Sequence, residues 1–330
     1  MPAAAGPLVR VRRLRVHYPL AAAWPWQRGG VLRAVEDLSF DLAPGETLGV
    51  VGESGSGKST LARSLVGLQP ATAGSIRLEG EEMVGATAER WRARRRDVQF
   101  IFQDPLASLD PRMTIGQIIE EPLLALEPAM GASAREQRVR QLMERVGLSA
   151  ALRNRYPHEF SGGQCQRVGI ARALVVQPRV LICDEPVSAL DVSVQAQIIN
   201  LLADLQREQG LSVLFIAHDL AVVRHLAQRV LVMYLGRVME QAPAETLFAL
   251  PRHPYTRALM ASVPGQGRAL SPLVGELPSA ASPPPGCVFA SRCPMAEDDC
   301  SRRVPGLNRT GPTAAAACHY VAGEALAEPA

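Results

Sequence analysis

The sequence has no run of apolar residues approaching the roughly eighteen that a membrane-spanning helix needs, so nothing in it is expected to cross a bilayer. Met1–Pro7 lacks a basic start followed by an apolar stretch, which argues against a secretory leader. Net charge is small, +3 over 330 residues, so no nucleic-acid partner is expected. Cysteine is scarce too, at six, and in a chain read as cytosolic these are not taken first for disulfides. What is present suits a globular protein: 47% hydrophobic and 20% charged residues, with length for one large domain and a smaller appendage.

The most informative stretch is Gly52-Glu53-Ser54-Gly55-Ser56-Gly57-Lys58-Ser59. It follows the apolar run Leu48–Val51 and leads through Thr60 into a helical pattern, the context in which this spacing means a phosphate-binding loop. Glycines let successive backbone N–H groups turn toward one phosphate chain, and the helix N-terminus adds partial positive charge there. Lys58 is expected to reach the β- and γ-phosphates, and the Ser59 hydroxyl to bind Mg²⁺. The chain is therefore expected to bind a nucleoside triphosphate.

Around this loop the pattern predicts an exposed edge strand over Val9–Val16, with Tyr18 after it as a candidate for stacking on a purine base. The loop Pro19–Gly30 carries Trp24 and Trp26, which either pack on the body or meet a partner. Strands are expected at Leu32–Leu42, Thr47–Val51, Ser75–Glu79, Val98–Phe102, Val180–Cys183 and Ser212–Ala217, with a closing hairpin Arg229–Met233 and Arg237–Glu240. The arginine run in Glu89–Asp97 reads as a solvated face or a contact for a partner or acidic lipid. Residues 104–176 are helical in pattern: Thr114–Leu126, then Ser133–Val146 with Ser133 and Glu136 spaced as a capping box. Apolar strands alternating with helices predict an α/β fold with a mixed, mainly parallel sheet and an α-helical subdomain. A compositional boundary falls near Gln241, separating 1–241 from an extension, 242–330, that holds four cysteines and the stiff Ser282–Gly286 linker.

Asp184 ends a buried strand, where a carboxylate can hold Mg²⁺, and Glu185 beside it is placed to polarise a water attacking the γ-phosphorus. Gln103 and His218 also end apolar strands and can sense the γ-phosphate, orient the water and, for Gln103, help hold the metal. Ser161-Gly162-Gly163-Gln164 opens a further helix and reads as a second anion site. One loop for one nucleotide leaves that site without an anion, unless it meets the γ-phosphate of ATP held by a second subunit. As a plain cap, the quartet has no evident need of Gln164 or of both glycines.

These motifs, in order with Ser188-Ala189-Leu190-Asp191, resemble the ATP-binding subunits of ABC transporters over about Val9–Gln241. Phe160 stands where that family's signature usually begins with Leu. The resemblance implies a P-loop fold, Mg²⁺-dependent ATP hydrolysis, and two subunits that sandwich ATP between one partner's loop and the other's signature. It further implies membrane subunits docked near Gln103.

Phe102–Arg112, Tyr156–Gln164 and His253–Leu259 are similar to the oligopeptide and dipeptide importer ATPases. The loop before Val31 and Gly162–Ala171 look most like their second ATPase subunit, which pairs with a related but distinct sister. A peripheral place on the cytoplasmic face of the inner membrane, two membrane-spanning permease subunits and, indirectly, an extracytoplasmic peptide-binding protein follow as implications. A nickel or metal-chelate importer of the same subgroup is one alternative; a non-transport ABC ATPase is another. Cys287, Cys293, Cys300 and Cys318 suggest a metal clasp: some relatives carry a [4Fe–4S] cluster on such a tail, while zinc and free thiols stay open. Cys165 and Cys183 read as small packing residues.

Overall fold

The computed structural model describes residues 6–21, 29–261 and 275–321 and the backbone of 324–325; Trp24 and Trp26 lie outside the described residues. By its internal contacts the chain forms two units. The first comprises residues 1–42, 47–85 and 217–330; the second comprises 43–46 and 86–216.

In the first unit, Val31–Leu42, Val9–Pro19, Ala73–Leu78 and Glu81–Glu82 form, in that order, a four-stranded antiparallel sheet. Val9–Pro19 is therefore an interior strand, not the edge that its basic residues predict. Its apolar side, Val9, Val11, Leu14 and Val16, is at most 2% exposed. The arginines are matched sideways: Arg12 forks onto Asp41 at 2.8 Å through both nitrogens, Arg13 meets Asp37, and Arg15 meets Glu36. Charge that would guard a free edge is here neutralised by the neighbouring strand.

The same unit carries the wholly buried strand Thr47–Val51, parallel to Arg229–Tyr234. Arg229–Tyr234 forms the expected hairpin with Arg237–Pro243, and Ala315–Ala316 adds antiparallel to the latter, Glu240 opposite Ala316. Position 241 thus lies inside a strand, and the cysteine-bearing segment returns to pair with it. The compositional break is not a break in packing.

The second unit holds three parallel strands, Val98–Ile101, Val180–Asp184 and the Ser212–Ile216 stretch of Ser212–Ala217. Every residue of Val180–Asp184 is buried, as expected of a parallel strand covered on both faces. Its main helices are Ile115–Leu126, Ala132–Arg145, Gly162–Leu174 and Val192–Gln209. Thr114 and Gln117 make a reciprocal capping box at the first of these. The box read at Ser133 and Glu136 does not form: the helix starts at Ala132 behind an uncapped Gly131, and Glu136 pairs instead with Arg153. The arginine-rich helix Ala88–Arg94 buries no residue, which agrees with a solvated face.

Candidate functional site

The first unit supplies the loop. After the buried strand Thr47–Val51 the chain turns at Gly52 and reaches Gly57, which caps the helix Lys58–Leu65. Gly57 has φ +99°, and a Cβ there would stand 2.0 Å from the Ala34 carbonyl oxygen; at Gly52 it would stand 2.2 Å from that of Met233. Only glycine lets the backbone pass so close. Lys58 is 4% exposed, and its Nζ donates to the carbonyls of Gly52 at 2.8 Å and Glu53 at 2.9 Å. A buried ammonium resting on loop carbonyls is held where phosphate oxygens can replace them. Ser59 and Thr60 follow, half-buried, in the first helical turn.

His218 is exposed just beyond the strand Ser212–Ala217. Tyr18 is half-buried opposite Leu32. Two residues that motif reasoning missed also touch the loop. Tyr255 Oη accepts from the Glu53 N–H at 2.9 Å, and Arg292 donates to both Glu53 carboxylate oxygens, at 2.6 and 3.0 Å. Tyr255 lies in the His253–Leu259 string that resembles importer ATPases, yet no spacing rule tied either residue to the loop.

The second unit carries Asp184 and Glu185. Asp184 is 2% exposed at the end of its strand. Glu185 follows at φ +47°, its N–H donating to the Ile216 carbonyl at 3.1 Å. Such a left-handed non-glycine residue stores about 1 kcal/mol or more, typical of a functional turn. Gln103 Nε2 donates to Glu185 Oε2 at 3.1 Å, so the structure brings together two residues that the sequence nominated separately.

Ser161 caps Gly162–Leu174 in the same unit: its Oγ accepts from the Gln164 N–H, and the Gln164 side chain accepts from the Ser161 N–H at 3.0 Å. Gln164 therefore has the structural use that sequence reasoning denied it. The two glycines remain distinctive. A Cβ on Gly163 would meet Val194 at 2.5 Å, and first-turn amides have no acceptor within their own helix. Cys165 and Cys183 are fully buried, and burial raises both thiol pKa values, as suits packing residues.

In the C-terminal segment none of the four cysteines is disulfide-bonded; Cys287 and Cys300 are buried, Cys293 and Cys318 half-buried. Burial pushes the Cys287 thiol up to about 11, with smaller contributions from Cys300, Cys293 and Cys318. Among the described residues, however, no three His, Cys, Asp or Glu stand together so as to hold a metal ion. The donor chemistry suits a metal; the spacing does not form a coordination shell.

Residues 35–188 match the ABC transporter family, and residues 239–300 match the oligopeptide/dipeptide transporter C-terminal region. The chain is 54% identical over 308 residues to the oligopeptide transport ATP-binding protein OppF of Escherichia coli (strain K12), covering 91% of this chain and 92% of that one. It is 55% identical over 280 residues to OppF of Haemophilus influenzae, covering 83% and 84% respectively. Among solved structures, a dimeric ATP-binding cassette, MJ0796, in a post-hydrolysis state with ADP and Pi superposes with a TM-score of 0.64 at 28% identity. That match covers 72% of this chain and 98% of the cassette.

Proposed function

The chain belongs to the ATP-binding proteins of the ABC transporter family, in the oligopeptide-transport branch, and from that premise we propose how its residues carry the activity. It is an ATPase, the ATP-binding subunit of an oligopeptide importer. The observation that carries the residue-level reading is the Lys58 ammonium, buried and resting on two loop carbonyls.

On this reading Gly52–Thr60 wraps the triphosphate and Lys58 exchanges its carbonyl partners for β- and γ-phosphate oxygens. Tyr18 stacks on the base. Ser59, Asp184 and Gln103 would hold Mg²⁺, and the ion would supply charge neutralisation at the phosphates. The Glu185 carboxylate accepts the proton of the attacking water, which Gln103 and His218 orient. The contact between Gln103 and Glu185 supports this pairing of roles. Ser161, Gly162, Gly163 and Gln164 meet the γ-phosphate of ATP on a second ATP-binding subunit, a distinct sister in a heterodimer.

Phe102 and Leu106, flanking Gln103, are 37% and 51% exposed, an apolar surface that suits docking of two permease subunits at the cytoplasmic face of the membrane. A peptide-binding protein outside the membrane delivers cargo to those permeases. The match of residues 239–300 to the oligopeptide/dipeptide region favours peptides over metal chelates as cargo. For the cysteines the proposed group is a [4Fe–4S] cluster, supported by four cysteines within residues 287–318. Stoichiometric iron and sulfide after anaerobic purification are expected; one zinc per chain, or neither metal, would dismiss the cluster.

Glu185→Gln tests the mechanism. ATP hydrolysis is expected to fall about 10²–10⁴-fold while ATP binding persists. Unchanged turnover in that variant would remove Glu185 from the chemistry.

A further inference from the structure

Glu53 occupies the second position of the phosphate-binding loop, and each of its polar groups is engaged. Its N–H donates to Tyr255 Oη at 2.9 Å, and its carbonyl accepts from Lys58 Nζ at 2.9 Å and from the Ser56 N–H at 3.2 Å. Its carboxylate takes the Arg292 fork at 2.6 and 3.0 Å. Two of these holds, Tyr255 and Arg292, come from the C-terminal segment, more than two hundred residues away.

Arg292 is itself firmly seated. Its side chain is 6% exposed, it donates to Tyr234 Oη at 3.3 Å, and its guanidinium lies over the Tyr234 ring at 5.9 Å. Tyr234, Tyr255 and Phe289 are fully buried and pack mutually with ring centroids 4.8 to 5.4 Å apart. A planar fork on a carboxylate fixes both distance and orientation, which a flexible ammonium would not.

We infer that Arg292 is a positioning residue for ATP: it holds the phosphate-binding loop open through Glu53 and cancels a carboxylate that would otherwise repel the triphosphate. When Lys58 leaves the Glu53 carbonyl for phosphate, the C-terminal segment keeps that peptide in place. Loss of Arg292 leaves an unpaired anion in the loop, so the penalty falls on binding and not on the chemical step. The inference rests on the reading that Gly52–Ser59 binds ATP.

The test is equilibrium binding of a fluorescent ATP analogue to the full chain, with steady-state ATP turnover in the assembled transporter. Arg292→Met is expected to weaken binding at least tenfold and raise KM alike, with kcat within about threefold of wild type. Glu53→Gln combined with Arg292→Met removes the stranded carboxylate and is expected to recover most of the lost affinity. Should Arg292→Met not fold, Arg292→Lys keeps the charge without the fork and is expected to show a smaller rise in KM. Unchanged affinity in whichever of the two variants folds would overturn the inference. So would a loss confined to the fraction of active protein, or a double variant no better than the single one. If wild type binds no ATP, the parent reading fails. If wild type binds, Lys58→Ala does not, and the Arg292 variants match wild type, only this inference fails.

Discussion

Gly57 shows how tightly single residues constrain the loop. Its φ of +99° costs a side-chain-bearing residue about 1–2 kcal/mol, and a Cβ 2.0 Å from a backbone oxygen cannot be absorbed by rotating a side chain. Gly57→Ala is therefore expected to weaken ATP binding at least tenfold, about 1.4 kcal/mol, in an equilibrium titration. Gly85 is the control, since it also has positive φ, +74°, but nothing lies within 4 Å of its added Cβ. Gly85→Ala should leave ATP affinity at the wild-type value; equal losses in both variants would mean that generic backbone strain, not the loop's close approach, sets the effect. Gly52, Gly57, Lys58, Asp184 and Glu185 were nominated from the sequence because the chemistry proposed for them depends on fixed spacing along the chain. Arg292 was not. A lone arginine beside a cysteine carries no periodicity, and its partner Glu53 lies far off in sequence.

At the scale of elements, buried strands were placed best. Thr47–Val51 and Ser212–Ala217 were legible to the residue because unbroken apolar runs bounded by turn residues have few alternative readings. Val9–Pro19 was misread because its arginines signal solvent until Asp41, Asp37 and Glu36 are known to lie beside them. Ser133 and Glu136 had the spacing of a capping box, but spacing cannot say which residue begins the helix, and the helix began one residue earlier.

The segment His253–Ala261 docks through groups that titrate. Glu240 accepts from the N–H groups of Arg252 and His253, each at 2.8 Å, and His253 is 1% exposed. Burial, opposed by a bond to Ala317 and aided by Arg257, lowers the His253 pKa from 6.5 to about 4. The unfolded chain thus binds more protons between those values. The contribution is intact above pH 6.5 and is lost as pH falls toward 4, about 2 kcal/mol of it by pH 5. Glu240, whose carboxyl burial shifts upward, works in the opposite direction, so the comparison must isolate His253. Denaturant midpoints at about pH 7.5 and about pH 5 should fall further for wild type than for His253→Gln. Equal falls would mean that His253 is not held neutral.

For the whole molecule, the parallel strands and the helical 104–176 region followed from pattern, whereas the return of the C-terminal segment onto Arg237–Pro243 did not. Two-residue strands such as Ala315–Ala316 carry too little pattern to be read, and the proline-rich linker before them suggests separation when the chain in fact comes back. Arg292, in that returning segment, reaches the loop at the Glu53 carboxylate.

We propose that this chain carries two unlike halves of a nucleotide site, the Lys58 loop and the Ser161–Gly162 helix start, and that a second subunit completes each. Steady-state ATP turnover tests it most directly, first on the chain alone at rising concentration, then with its sister subunit and permeases. Turnover per chain should be low when solitary and rise on assembly. Gly162→Asp should abolish that rise while this chain's own loop still binds ATP. Full turnover by the dilute, solitary chain, with Gly162→Asp as active as wild type even in the assembled transporter, would contradict it.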